Sequence, residues 1–129
     1  MSLLYEKRSS GTIDEVGQRL EQAIPAHKFG LIGLIDMKEK MASKGVEFAP
    51  ECRVYEVCNP VQAKKILDHD MRISSALPCR ISVYEKDGSV VLSTLLPSAM
   101  IGMFECPEIV PVAKEVEVAI KAMMDEAAG

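Results

Sequence analysis

The chain has 129 residues, of which 48% are hydrophobic and 26% are charged, as in a globular domain rather than a disordered or fibrous chain. A net charge of −4 argues against a nucleic-acid-binding role, because phosphate recognition needs a basic surface. No apolar run reaches the roughly 20 residues that span a bilayer, and the first residues lack the pattern of a secretory signal. We therefore expect one cytoplasmic domain over residues 1–129 that binds neither nucleic acid nor membrane.

The first part of the chain carries strand and helix patterns in turn. Thr12 and Glu15 have the spacing of a capping box at a helix start, and Pro25 limits that helix. The nearly unbroken apolar run at 30–36 is typical of a central strand. The predicted elements are a strand at 3–9, a helix from residue 13, a strand at 30–36 and one or two helical turns at 37–43.

The second part places a helix between two strands and ends in a hairpin and a last helix. Asn59 is a suitable N-cap and Pro60 suits the first helical position, where its missing N–H costs nothing. Asp87-Gly88 is a strong hairpin signal. The predicted elements are strands at 53–57, 79–84 and 90–96, a helix from 60 to about 70, and a helix that begins between 107 and 111. On the first of these helices, the side chains expected to be buried are Ala63, Ile66 and Leu67.

The predicted order of elements is β-α-β-β-α-β-β-α. The hairpin and the alternating strands favour a mainly antiparallel sheet of about five strands with helices on one face, which is an α+β fold. A doubly wound parallel fold agrees less well, because the strands do not alternate regularly with helices. The sequence also contains no glycine-rich phosphate loop after a strand.

Two short phrases combine a cysteine with residues that shape the backbone. Cys58-Asn59-Pro60 ends one predicted strand, and Leu77-Pro78-Cys79-Arg80-Ile81 begins the next. If the two strands are antiparallel neighbours, both cysteines lie at the same end of the sheet and could share a ligand. If the strands are parallel, the cysteines lie about 15 Å or more apart. The simpler interpretation is that the asparagine and the prolines shape the backbone while the cysteines pack as small hydrophobes.

Soft and imidazole donors are spread along the sequence. The cysteines form no CxxC pair, and the two histidines stand in no HxH or HxxxH pattern, so we predict no structural metal site. Haem needs only one or two axial ligands beside an apolar slot, and the candidates for such ligands are His69, Met100, Met103 and Cys106. An exposed position at a helix end is the simpler interpretation of His69.

An uncharged segment runs from residue 89 to residue 104. Its second part, 97–104, is predicted as a loop and contains Met100, Met103 and Phe104. Such a composition is typical of a surface that adapts to a partner or ligand, although it also suits core filling. Catalysis is not indicated, because the sequence shows no GxSxG elbow. Arg80 follows Cys79 on a strand and is expected to point to the opposite face.

The two cysteine phrases and the hairpin between 79 and 96 resemble a prokaryotic family, number 302 among the domains of unknown function. The resemblance extends over about 5–124. It implies a compact α+β domain with a curved antiparallel sheet, similar to one repeat of the TATA-binding-protein fold, and a homodimer. It also makes small hydrophobic molecules or haem candidate ligands, but it assigns no catalytic residue. The residues at the family's motif positions are Cys58, Asn59, Pro60, Leu77, Pro78, Cys79 and Arg80.

Our leading hypothesis is therefore a homodimer that binds a small apolar ligand, with haem as one candidate, and performs no catalysis. The ligand would lie between the sheet and the helices or at the subunit interface. One alternative is a thiol-based redox or sulfur-transfer protein that uses Cys58 and Cys79. Another is a structural subunit of a larger complex. The candidate site residues are Cys58, Asn59, Pro60, Pro78, Cys79, Arg80, Met100, Met103 and Phe104.

Overall fold

A computed structural model describes residues 2–129. The five strands are β1 (Leu4–Ser9), β2 (Gly30–Asp36), β3 (Cys52–Cys58), β4 (Cys79–Lys86) and β5 (Ser89–Leu95). The α-helices are α1 (Ile13–Ala26), α2 (Met37–Ala42), α3 (Pro60–His69), α4 (Pro97–Gly102) and α5 (Val110–Ala128). Two 3₁₀ helices lie at Met71–Ala76 and Pro107–Ile109. No helix within these residues is long and apolar enough to cross a membrane.

The strands form one sheet in the order β1-β5-β4-β3-β2, and each neighbouring pair is antiparallel. This confirms the predicted α+β class and the antiparallel sheet. Alternate side chains of β3 and β4 are buried, as expected for strands whose one face is covered, whereas β5 is buried without a break from Val90 to Thr94. They pack with the apolar sides of α1 and α5 in a main core. Its members include Val16, Leu20, Ile24, Tyr55, Val57, Cys79, Ile81, Val83, Leu92, Ile120, Met123 and Met124.

A second, smaller core lies beyond the end of the sheet that carries Cys58 and Cys79. It joins α3, α4, α5 and both 3₁₀ helices. Leu77 packs against both cores and links them. The buried members of the second core are Ile66, Ile73, Ile101, Ile109 and Ala113.

The predicted helix starts are confirmed in atomic detail. The Thr12 hydroxyl accepts from the Glu15 amide at 3.1 Å, and the Glu15 carboxylate accepts from the Thr12 amide at 2.9 Å. The Asn59 side chain accepts from the amides of the second and third helical residues at 3.1 and 3.2 Å, directly before Pro60. Pro25 lies in the last turn of α1, which ends one residue later.

The prediction that residues 30–36 form a central strand is wrong. β2 lies at an edge of the sheet, and Leu31, Ile32 and Leu34 are 40%, 61% and 47% exposed. An unbroken apolar run is typical of a strand covered on both faces, but the same run can also mark an exposed edge that is suited to a partner. Hydrophobicity along the chain does not distinguish these cases.

Two further expectations need correction. The segment 97–104 is not all loop, because its first six residues form α4, with Pro97 at the first helical position. Pro97 thus begins a helix where the sequence predicts a loop. On α3 only Ile66 is fully buried, and Ala63 and Leu67 are half-buried, because the second core covers only part of that helix.

Candidate functional site

Cys58 and Cys79 lie at the same end of the sheet, as the antiparallel arrangement predicts. In the register of β3 with β4, Val57 pairs with Cys79, so Cys58 is only one residue further along. Both cysteines are free thiols. The two cysteine phrases therefore meet in space at one end of the sheet.

A small cavity of about 30 Å³ lies next to both thiols, between the main core and the second core. Its wall is almost entirely apolar. The sheet, α3, α4 and the 3₁₀ helix at Met71–Ala76 each contribute to it. The buried residues that line it include Phe29, Val57, Ile66, Ile73, Cys79 and Ile101, and its half-buried rim includes Cys58, Asn59, Gln62, Ala63 and Met100.

The size of this cavity limits what it holds. A buried water needs about 10–15 Å³ by this measure, so about 30 Å³ accommodates roughly two water-sized groups. Pockets for drug-sized ligands measure about 300–1,000 Å³, and haem belongs to that class. Of the suggested axial ligands, Met100 lines the cavity, whereas His69, Met103 and Cys106 do not. Haem therefore does not fit this site.

One residue that lines the cavity has a polar side-chain atom without a partner. Gln62 donates its side-chain Nε2 to Glu115 Oε2 at 2.8 Å, and its Oε1 is buried with no hydrogen-bond partner among residues 2–129. Because a carboxylate only accepts, the bond to Glu115 fixes which end of the amide carries the unpaired oxygen. Asn59, the other amide on the rim, is already occupied in capping α3. Gln62 therefore brings one unpartnered acceptor to a set of lining residues that is otherwise almost entirely apolar.

The thiols are poorly suited to nucleophilic chemistry. Burial, with a smaller contribution from nearby Cys58, raises the pKa of Cys79 to about 11, and burial also raises the pKa of Cys58. Thiolates, rather than thiols, are the reactive species, so both groups are mostly unreactive at neutral pH. Arg80 is exposed and pairs with Glu56, Nε to Oε2 at 3.2 Å. This arrangement does not favour the redox or sulfur-transfer alternative.

The structure brings only some of the predicted site residues together. Those that line the cavity are Cys58, Asn59, Cys79 and Met100. Pro78 and Arg80 instead line a separate recess of about 250 Å³, to which Met100 also contributes. The remaining three lie in neither: Pro60 is exposed at the start of α3, Met103 is 75% exposed, and Phe104 packs against the second core.

Sequence reasoning missed Gln62 and the isoleucines of the second core. A signal for Gln62 did exist, because it stands four residues before Ile66 and therefore shares the buried side of α3. A polar residue in that position could have been identified as a candidate. Ile73 and Ile101 had no such signal, because they come from short helices that show no regular apolar pattern.

Comparison with known proteins agrees with this fold. Residues 5–127 match the family model described as domain of unknown function DUF302. The chain is also similar to a crystal structure of an uncharacterized conserved protein DUF302 from Bacillus stearothermophilus. The TM-score is 0.93 at 27% identity, over 98% of this chain and 99% of that one. No curated protein matches the chain. From the family match and the shared fold, we conclude that the chain belongs to the DUF302 family.

Proposed function

We propose that this protein binds a small, largely apolar molecule that carries one hydrogen-bond donor, and that it does so without catalysis. The ligand occupies the cavity beside Cys58 and Cys79. The observation that carries this proposal is the unpartnered Oε1 of Gln62, a residue that lines that cavity. A buried acceptor without a partner costs about 1–3 kcal/mol, and a bound donor relieves that cost.

The two parts of the ligand have different roles. Its apolar part displaces water from a wall of isoleucine, valine and thiol groups, which is favourable because apolar surface leaves water. Its hydroxyl or N–H group bonds to Gln62 and fixes the orientation. Because the cavity holds only about two water-sized groups, the ligand is either very small or inserts one end past the half-buried rim.

A pair of isomers tests the requirement for a donor. 1-Propanol and ethyl methyl ether contain the same atoms, but only the alcohol can donate a hydrogen bond. In an NMR titration we expect 1-propanol to cause saturable shifts at the Gln62 side-chain amide and at the backbone of Ile73 and Cys79. The ether should bind more weakly at the same residues.

Two variants and one control complete the test. Ala63→Leu places a larger side chain at the half-buried rim and should abolish binding of both isomers. Val61→Leu, on the exposed side of the same helix, should leave binding unchanged. Gln62→Leu should remove the preference for the alcohol. If neither isomer causes saturable shifts, or if Ala63→Leu binds as the wild type does, the proposal is wrong.

We further infer that the protein is a homodimer joined along β2. The other edge strand, β1, carries Glu6, Lys7 and Arg8, and charges of this kind protect an edge from pairing. β2 carries no charge before Asp36, and it exposes three large apolar side chains. A second copy suits this edge, because antiparallel pairing about a two-fold axis satisfies the free backbone groups of both strands.

Light scattering after size exclusion tests the dimer. We expect a mass of twice 14.1 kDa for the wild type. Ile32→Lys puts a charge on the exposed edge and should give a monomer, whereas Val118→Lys, on an exposed position of α5, should remain dimeric. A monomeric wild type, or a dimeric Ile32→Lys variant, would contradict the inference.

A further inference from the structure

Three chemically different donors lie together at the surface, away from the cavity lining. They are His69, Cys106 and Glu108, and their nearest ligand atoms all lie within 4.8 Å of one another. His69 is the last residue of α3. Cys106 precedes the 3₁₀ helix at Pro107–Ile109, and Glu108 lies within it. Because the donors come from two segments that are distant in the sequence, no spacing motif could have revealed them.

The distances between the three ligand atoms need only small side-chain movements to suit a metal ion. In a tetrahedral zinc site with bond lengths of about 2.0–2.3 Å, neighbouring ligand atoms lie about 3.3–3.8 Å apart. Cys106 Sγ and Glu108 Oε2 are already 3.3 Å apart. The ligand atoms that are still up to 4.8 Å apart have to come about 1–1.5 Å closer together. His69 and Glu108 are exposed, so rotation of their side chains can close this distance.

We propose that His69, Cys106 and Glu108 bind a divalent transition-metal ion of the zinc type. A thiolate, an imidazole and a carboxylate together match the preferences of zinc, whereas magnesium and calcium prefer oxygen ligands alone. When the metal binds, the Cys106 thiol releases its proton to solvent. The two negative ligands then balance the charge of the ion. With three protein ligands, the fourth position is left to water or to an external ligand.

The backbones that carry the donors are anchored independently of any metal. Ile66 lies one turn before His69, and Ile109 directly follows Glu108; both isoleucines are buried in the second core. The Ile109 amide donates to the Cys106 carbonyl at 3.2 Å, which holds the short helix closed. The site is therefore largely preformed, and the metal joins the end of α3 to the segment before α5.

Cobalt provides a spectroscopic test on the reduced, metal-free protein. We expect about one equivalent of Co²⁺ to produce a thiolate-to-cobalt charge-transfer band and visible d–d bands. Zn²⁺ should remove both, whereas excess Mg²⁺ should not. Cys106→Ser should lose the charge-transfer band, and His69→Gln and Glu108→Gln should each weaken Co²⁺ binding about tenfold or more.

Matched controls separate this site from general metal binding. Cys52→Ser replaces another half-buried cysteine, and Glu105→Gln replaces an exposed neighbouring carboxylate, so both variants should bind Co²⁺ as the wild type does. A wild type without a charge-transfer band would overturn the proposal. So would a Cys106→Ser variant that keeps the band, or a His69→Gln variant with unchanged affinity.

Discussion

Replacing Gln62 with leucine should stabilise the ligand-free protein. The substitution removes a buried acceptor without a partner, which relieves about 1–3 kcal/mol, and it places an apolar side chain against an apolar wall. It also removes the hydrogen bond to Glu115, which is worth about 0.5–1.5 kcal/mol. Glu115 is exposed and remains hydrated, so no buried charge is left behind. The free energy of unfolding should therefore rise by about 1 kcal/mol.

Urea denaturation measures this difference directly, as a shift of the midpoint at constant slope. In a thermal melt, 1 kcal/mol corresponds to about 3–5 °C for a chain of this size. Glu115→Ala is the matched control, because it removes the same hydrogen bond but keeps the buried acceptor. We expect that variant to lose about 0.5–1.5 kcal/mol. If Gln62→Leu is instead about 1 kcal/mol less stable than the wild type, then Oε1 already has a partner, and the argument for a donor-bearing ligand is refuted.

Three further predictions concern stability and its pH dependence. Gly17→Ala would place a Cβ against the buried Tyr55 hydroxyl. This should cost about 1–3 kcal/mol in urea, more than the helix propensity gained, whereas Gly102→Ala, in open space, should not be destabilising. The raised pKa of Cys79 stabilises the fold below about pH 9, and this contribution is lost as the pH rises through about 11. Between about pH 9 and pH 11, the free energy of unfolding of Cys79→Val should therefore fall by up to about 3 kcal/mol less than that of the wild type. An equal fall in both proteins would contradict this assignment. Asn59→Ala should cost about 0.5–2 kcal/mol by removing the N-cap of α3, and an unchanged urea midpoint would show that the cap is dispensable.

Local chemistry explains how much of the fold could be predicted. The capping box at Thr12, the Asn59-Pro60 pair and the Asp87-Gly88 turn each act within a few residues, so each is readable in the sequence. The turn illustrates this, because Asp87 and Gly88 have φ values of 52° and 78°, the positive range that such tight hairpin turns demand. Strand positions, the antiparallel class and the meeting of the two thiols follow from signals of this kind.

The helix start at Pro97 is a local signal that was misinterpreted, but the other failures depend on contacts between distant segments. Whether β2 lies at the centre or at an edge is decided by the order of strands, which its own hydrophobicity does not encode. The cavity is closed by isoleucines from short helices, and His69 meets Cys106 only because α3 packs on the segment before α5. A single sequence contains no local pattern for such pairings.

The position of the cavity between the two cores has a consequence for motion. Each core is a separate set of buried side chains, and the link between them is the half-buried Leu77 together with the cavity wall. The smaller set has fewer apolar contacts to hold it closed, so it should open locally while the sheet remains folded. Amide hydrogens of α3 and α4 should then exchange with solvent before those of β4. Local opening of the smaller core would let a ligand enter the cavity, which is too narrow in the closed form. The sheet would stay folded throughout.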